Sequence, residues 1–316
     1  LYRVSDNESS IKSGHDLMGR LIKSTRHLNV NNTSYTTETV YDKAGRVIEA
    51  VYPNNHAVVR NTFDQYTGSL IQVESISGTG ANEVFYLVNS FDEAGRIDAI
   101  EYGNGVTTSY EEYAKSQRRE RIHTYSATET LQDISYEYDV VSQFTSITDN
   151  YHTGTASSTL NNIQYDELYR MESLYSESQN QTLNYTYDAL GNIVTNDENG
   201  PSAYSYAGSG HTHVQPHAVT SANGTSYAYD ECGNMVTRGT QTLTYDARNQ
   251  LIRVYDSVTT KTVEFGYDSD GDRLWKKVDG EVTQVWIGNI YEEKNGKTLC
   301  HVLVNGQKLA TFEPEG

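Results

Sequence analysis

Three histidines have a spacing that could hold a transition metal: His211, His213 and His217 form an H-x-H-x₃-H arrangement. Imidazole ligands bind Zn²⁺ only when their nitrogens converge on one point. Gly and Pro flank this stretch, which is typical of a connecting loop. We therefore predict a connector here and no metal site.

Residues 268–279, DSDGDRLWKKVD, have the alternating acids of a calcium loop. An EF-hand loop needs Gly at its sixth position and Glu at its twelfth. Here Gly271 is fourth and the twelfth residue is Asp279, so the register fails. The stretch predicts a turn.

The 42 acidic residues could supply the carboxylate pair of a glycosidase. They are scattered over turn-like stretches, so no pair stands out, and there is neither a Gly-x-Ser-x-Gly elbow nor a phosphate loop. The 26 Tyr could stack on sugar rings, but we expect them to pair across strands and form the core. We predict a protein that is not an enzyme, with no catalytic, cofactor-binding or metal-ligating residue.

An internal repeat explains most of the Asp residues. Its pattern is Tyr or Phe, Asp, two variable residues, Gly, a polar residue and an apolar one. The clearest copies are YDKAGRV at 41, FDEAGRI at 91, YDALGNI at 187 and YDECGNM at 229. The weaker copies are HDLMGRL at 15, FDQYTGSL at 63, YAKSQ at 113, YDVVSQF at 138, YDELYRM at 165, YAGSG at 206, YDARNQL at 245 and YDSDGDRL at 267.

The period of the repeat indicates one β-hairpin per unit. Twelve copies lie between positions 16 and 268, a mean step of about 23 residues, which two strands and their turns fill. Leu183, Tyr185 and Tyr187 alternate with polar residues, as in a half-buried strand. We predict an all-β fold in which residues 1–316 form a single array of hairpins building a spiralling sheet.

The repeat also predicts a specific turn. Asp188 can accept backbone N–H bonds at the start of a type I turn, and Gly191 can take the positive φ that follows. Asn249 tolerates that φ, whereas Ser142 and Tyr169 tolerate it less well, so we expect their turns to differ. A second turn is expected near Gly239.

One stretch is ambiguous between helix and strand. Residues 109–125, SYEEYAKSQRRERIHTY, carry charges that suit a helix. We predict strand, because Tyr113 falls in register with the aromatic residue of the repeat.

Charge and composition restrict the partners. The formal net charge of −18 argues against nucleic acid and against an anionic membrane surface. No stretch approaches the 18 apolar residues of a spanning helix. Cys232 and Cys300 could form one bridge, but unpaired thiols are the simpler expectation. The expected partners are other segments of the same polypeptide or identical subunits.

These repeats resemble the YD repeats of the Rhs, insecticidal toxin-complex and teneurin families. Residues 216–251, which include PHAVT and YDECGNM, look most like the bacterial Rhs branch, and in it His217 belongs to an ordinary connector. Residues 285–297, VWIGNIYEEKNGK, resemble the last strands before the family's core segment. The chain stops before any self-cleavage motif, so we expect a segment of a larger protein.

The resemblance implies a structural β-shell that encloses or delivers an effector and that is secreted or displayed at the cell surface. An enclosed toxin is then the expected cargo. The alternative is an extracellular fibre or adhesin built from the same repeats, which binds a surface glycan or other copies of itself.

Overall fold

The computed structural model describes residues 2–78, 82–151, 158–197, 204–207 and 215–314. In these residues the chain forms β-strands and turns, with one short 3₁₀ turn at Pro53–Asn55 and no α-helix. The predicted all-β fold is confirmed.

Within the described ranges, twenty-nine strands follow one another. They are β1 (Tyr2–Ser5), β2 (Ser9–His15), β3 (Leu21–Leu28), β4 (Thr33–Tyr41), β5 (Val47–Val51), β6 (Ala57–Phe63), β7 (Leu70–Gly78), β8 (Val84–Phe91), β9 (Ile97–Tyr102), β10 (Thr107–Glu112), β11 (Arg119–Tyr125), β12 (Thr130–Tyr138), β13 (Phe144–Asp149), β14 (Ser158–Tyr165), β15 (Met171–Ser176), β16 (Gln181–Tyr187), β17 (Ile193–Asn196), β18 (Ser205–Tyr206), β19 (Val219–Ala222), β20 (Thr225–Tyr229), β21 (Met235–Arg238), β22 (Gln241–Tyr245), β23 (Leu251–Asp256), β24 (Thr262–Tyr267), β25 (Arg273–Val278), β26 (Glu281–Ile287), β27 (Tyr291–Lys294), β28 (Lys297–Val304) and β29 (Gln307–Phe312).

Strands β1–β17 belong to one sheet and β18–β29 to a second. Sequence neighbours pair antiparallel, as β2 does with β3 and β16 with β17. The predicted alternation is visible in β16, where Leu183 and Tyr185 are buried while Asn184 and Thr186 are exposed. The second turn falls where it was expected, since Gly239 separates β21 from β22 at a φ of 55°.

The chain divides into two compact units. Unit 1 contains residues 1–88, 102–104 and 243–316, and unit 2 contains residues 89–101 and 105–242.

Unit 1 has a core of large side chains taken from both halves of its sequence. The most deeply buried are Leu28, Tyr35, Tyr52, Val73, Leu274, Val285, Tyr291 and Val302. Tyr serves as a core residue here because its ring is apolar and its hydroxyl finds a partner. The predicted role of Tyr in the core is confirmed for these residues.

Unit 2 has a thinner core. Ile163, Leu174, Leu183 and Tyr185 form its buried cluster, and partly buried neighbours such as Met171 pack against it.

Residues 109–125 form strands, as predicted, but the register of Tyr113 was wrong. The N–H of Tyr113 donates to Arg118 O, as the N–H of Asp64 does to Ser69 O in the copy at 63. Tyr113 therefore occupies the Asp position of its turn rather than the aromatic position. The turns at Asp64 and Tyr113 are therefore one residue longer than the turn at Asp188, in which the N–H of Asp188 donates to Asn192 O. The YDxxG pattern alone does not reveal this extra residue at Tyr113.

Candidate functional site

The repeat turn at Asp188 has the predicted geometry. The N–H of Gly191 donates to Asp188 O at 3.0 Å, and the φ of Gly191 is 88°. Asp188 Oδ1 accepts the N–H groups of Leu190 and Asn192 at 2.8 and 2.9 Å. After the turn, β17 carries one extra residue opposite the end of β16, because Tyr187 pairs with Ile193 and Thr186 with Thr195. This is a type I turn followed by a bulge, held by one carboxylate.

The same turn forms where Gly is replaced, which contradicts one expectation. Ser142 and Tyr169 have φ values of 76° and 62° and donate their N–H groups to the O atoms of Asp139 and Asp166. The expected difference between these turns and the Gly turns is therefore wrong. The carboxylate bonds and the strand pairing on both sides fix the turn, so the structure absorbs the local strain. Asn249 behaves as expected, with a φ of 60°.

The residue after the Gly position of the repeat, which is Tyr169 in one copy, connects one repeat to the next. The sequence pattern did not reveal this role. Arg170 Nε donates to Asp166 Oδ2 at 2.7 Å, and its guanidinium lies 4.4 Å from the centroid of the Tyr187 ring in the next copy. Asn192 Nδ2 likewise bonds to Asp188 and to Pro216 O. The residues with the same bond to the Asp four positions earlier are Arg20, Arg46, Arg96 and Asn234.

The hydroxyl of the repeat Tyr completes this link. Tyr187 Oη donates to Met171 O at 2.8 Å, Tyr41 Oη to Leu21 O and Tyr267 Oη to Leu251 O. The acceptor in each pair lies five residues after the Asp of the preceding copy. We call this set of Asp, post-Gly residue and following Tyr the turn ladder. The Gly-Arg pairs in three copies were the signal that could have revealed it.

Electrostatics favour the ionised Asp at two positions of the ladder, Asp42 and Asp188. The backbone N–H of Arg46, together with its side chain and charge, holds the pKa of Asp42 below its usual value. At Asp188, partial burial would raise the pKa, but the bonds from Asn192 outweigh it and lower the pKa. These two carboxylates are thus turn formers whose oxygens both accept hydrogen bonds.

Unit 1 contains a second kind of contact, which joins residues 6–85 to residues 268–312 and which we call the long-range seam. Arg26 Nη1 lies 2.6 Å from Asp268 Oδ2, and the Asp268 side chain is only 1% exposed. Asp268 Oδ1 accepts the N–H groups of Asp270 and Asp272. Burial acts to raise the pKa of Asp268, but Arg26 and these N–H groups lower it, so the charge is kept and paired.

Buried tyrosines form the centre of the seam. Tyr35 and Tyr291 lie 5.7 Å apart between ring centroids, and both hydroxyls donate to Glu293 at 3.0 Å. Tyr52 Oη donates to His301 O at 2.7 Å. Burial raises the pKa of Tyr35 to about 12 and raises that of Tyr291 as well, so both remain neutral donors.

Trp275 extends the seam toward β2. Its indole N–H donates to Glu8 Oε2 at 2.9 Å, and it pairs across the strands with Gly266. A Cβ at position 266 would lie 2.1 Å from the indole ring. Gly266 is therefore required by the space that Trp275 fills.

A buried histidine on β28, His301, accepts the seam bond from Tyr52 through its backbone O atom. His301 is 4% exposed, with Nδ1 2.9 Å from Thr311 Oγ1 and Nε2 3.3 Å from Glu292 Oε2. Burial lowers the pKa of His301, against the opposing effect of Glu292. Next to it, burial raises the pKa of Cys300 to about 12. Cys300 and Cys232 are both free thiols.

The candidate motifs from the sequence have these positions in the structure. His211 and His213 lie outside the described residues, and His217 Nδ1 lies 2.7 Å from Asn192 Oδ1. The carboxylate of Asp268 accepts hydrogen bonds from Arg26 and from backbone N–H groups of its own turn. The carboxylate of Asp279 accepts the N–H of Thr262. No cluster of three or more His, Cys, Asp or Glu suited to a metal occurs in the described part of the chain.

Comparison with known proteins identifies the family. A sequence model of the teneurin YD-shell matches residues 90–309. This chain belongs to the teneurin YD-shell family. The resemblance to YD-repeat and Rhs proteins is thereby confirmed.

Two bacterial relatives share part of this YD-shell sequence. The toxin subunit YenC2 of Yersinia entomophaga is 29% identical over 206 residues, which cover 53% of this chain and 21% of YenC2. The tRNA nuclease WapA of Bacillus subtilis is 34% identical over 104 residues, which cover 32% of this chain and 4% of WapA. This chain spans a small part of either relative.

Solved structures share the fold. A crystal structure of TcdB2-TccC3-Cdc42 has a TM-score of 0.72 at 18% identity, covering 95% of this chain and 18% of that one. The Photorhabdus luminescens Tc holotoxin pore has a TM-score of 0.73 at 18% identity, with 95% and 17% covered. Within the described residues, no helix has the length and hydropathy needed to cross a bilayer.

Proposed function

We propose that this YD-shell chain is a wall segment of a secreted or surface-displayed protein that encloses or delivers an effector. In this proposal residues 1–316 form a single array of hairpins, and the wall acts as a scaffold without catalysis. Its direct partners are other segments of the same polypeptide or identical subunits, and its cargo is an enclosed toxin.

The long-range seam is the observation that supports a shell over a fibre. It brings Arg26 and Asp268, 242 residues apart, into an ion pair within unit 1 in which the two side chains are 15% and 1% exposed. A hairpin array that extends as an open fibre has no need of specific buried contacts between distant repeats, because each repeat contacts only its neighbours. A wall that curves back on itself needs such contacts.

The relatives supply the second support. YenC2 is a toxin subunit and WapA is a tRNA nuclease, and most of each relative lies outside the part that matches this chain. A toxic activity carried elsewhere in such a protein would leave the YD repeats free to act as the container. The turn ladder fits this role because it spends its carboxylates on structure.

Electron microscopy tests this proposal. The purified chain should form discrete compact particles whose size does not change with protein concentration, and Asp268→Ala should yield expanded particles. Filaments that lengthen with concentration, equally in both proteins, would instead support the fibre or adhesin alternative.

A further inference from the structure

A groove of about 430 Å³ in unit 1 borders the turn ladder at Tyr267, but its other side chains belong to neither the ladder nor the seam. It lies where two turns come together, the turn that precedes β25 and the turn that joins β26 to β27. Trp286 and Tyr267 supply aromatic surface, and Asp272, Arg273 and Asn289 supply polar groups. Aromatic surface combined with a few polar groups is the usual composition of a small-molecule site.

The two tryptophans of the chain are used differently. Trp275 is 8% exposed and donates its indole N–H to Glu8. Trp286 is partly exposed, and its indole N–H has no hydrogen-bond partner among the described residues. A Trp that stands open to a groove presents both a flat apolar ring and a spare donor.

Asp272 departs from the rule of the turn ladder. In the other YDxxG turns the residue after Gly is Arg or Asn and donates to the Asp four positions earlier, as Arg46 does to Asp42. Asp272 cannot donate, and Asp268 Oδ2 takes Arg26 from the seam instead. The carboxylate of Asp272 is left exposed in the groove, with no side-chain partner in the described chain.

The groove has two further polar side chains, Arg273 and Asn289. Arg273 is fixed, with its guanidinium 4.4 Å from the Phe265 ring centroid and Nη2 3.2 Å from Tyr267 Oη. The amide of Asn289 is exposed and finds no partner within the part of the chain that the structure describes. The groove therefore offers a spare carboxylate acceptor, a spare amide that both donates and accepts, and an indole donor.

We propose that this groove binds a neutral saccharide. The apolar face of a pyranose ring stacks on Trp286, while Asp272 and Asn289 bond to its hydroxyl groups, each of which can both donate and accept. An anionic ligand is disfavoured by Asp272 and by the net charge of −18. The wall function makes no use of this groove, so the inference goes beyond the proposed function.

The test is a screen of the whole chain on an array of immobilised neutral and acidic glycans, followed by titration of the retained glycan in solution. Trp286→Ala and Asp272→Ala should each weaken binding at least tenfold. Asp270→Ala is the matched control, because Asp270 is an exposed acid of the same turn that does not line the groove. It should bind as the parent chain does.

Thermal melting of every variant separates loss of the site from loss of the fold. If Trp286→Ala melts at a lower temperature than the parent chain, the binding result for Asp272→Ala is the one that tests the site. The Asp272 side chain is exposed and unpaired, so its removal should leave the fold intact. Failure to retain any neutral glycan, preference for acidic glycans, or equal binding by Asp272→Ala and Asp270→Ala would overturn the proposal. None of these results bears on the particles seen by microscopy, so the wall function is tested separately.

Discussion

Unit 1 and unit 2 are built from the same hairpins and the same Asp turns, yet they bury very different cores. Unit 1 buries Tyr35, Tyr52, Trp275 and Tyr291 together with most of the other buried apolar side chains. In the described part of unit 2, the buried apolar residues are Ile100, Ile163, Leu174, Leu183 and Tyr185.

The difference shows what a repeat can and cannot provide by itself. Strand pairing and the turn ladder act between neighbouring copies and are present in both units. A sheet buries large side chains only where a second layer covers its face, and in unit 1 the long-range seam provides that cover. We therefore expect the seam to contribute most to the stability of unit 1, and local contacts to that of unit 2.

The largest expected effect comes from removing the same repeat Asp in the two units. Asp268→Ala leaves the largely buried Arg26 without its partner, which costs about 3 kcal/mol in the free energy of unfolding, the lower end of the range for a buried pair. Asp188→Ala removes a partly exposed turn carboxylate that has no buried cation as its partner, and should cost clearly less. Urea denaturation followed by Trp fluorescence reports on unit 1, which contains both Trp residues, and circular dichroism reports on the whole chain.

Equal losses for the two variants would mean that the seam adds nothing to the turn. Asp270→Ala serves as the control for position, because it lies in the same turn as Asp268 but is exposed.

The sequence allowed the local part of this structure to be predicted. The turn at Asp188 depends on four adjacent residues, and the alternation of Leu183 and Tyr185 specifies the strand before it. The two local errors have local causes. Tyr169 adopts a positive φ because its turn is over-determined, and Tyr113 was placed one position out because its turn has an extra residue.

The seam could not be predicted in this way. Nothing near Arg26 indicates that it pairs with Asp268, because the two residues are 242 positions apart in the sequence. The groove at Trp286 was missed for the same reason, since it forms only when two turns meet. Asp272 was the available signal, as an acid in a position that elsewhere holds a donor.

The second-largest loss of stability is expected from a substitution at Gly191, which has a positive φ in the Asp188 turn of unit 2. Gly191→Val should cost about 1–3 kcal/mol, because a β-branched residue resists the φ of 88°. Tyr169→Gly should leave stability equal or higher, because it relieves the same strain. Melting temperatures followed by circular dichroism provide the comparison, with Leu190→Ala as the control. If Gly191→Val and Leu190→Ala melt together, the turn assignment is wrong.

A smaller effect is expected from the ladder itself. Arg170→Met keeps most of the length and the apolar part of the side chain but removes the charge over the Tyr187 ring. Loss of this cation–π contact should lower the free energy of unfolding by about 0.5–1 kcal/mol. Loss of the bond to Asp166 adds to this. Denaturation by urea at low and high salt should show the loss in both conditions. A variant as stable as the parent chain would limit the ladder to a geometric role.

The smallest effect is a pH dependence confined to unit 1. Burial lowers the pKa of His301, so the unfolded chain binds a proton before the folded one does. Stability should be complete above the ordinary His pKa of about 6.5 and fall as the pH drops through the lower, folded value. Trp fluorescence melts across this range should show the decline, and His301→Gln should flatten it. An unchanged slope in that variant would assign the decline to other groups.

The most direct test of the seam is a double-mutant cycle on Arg26 and Asp268, using Arg26→Met, Asp268→Asn and the double variant. The matched cycle uses Arg46→Met and Asp42→Asn, a ladder pair in the same unit. A coupling across Arg26 and Asp268 of about 2 kcal/mol or more, well above that of the ladder pair, is the expected result for a desolvated contact. A coupling no larger than that of the ladder pair would contradict the conclusion that distant repeats of this chain are held together by the seam.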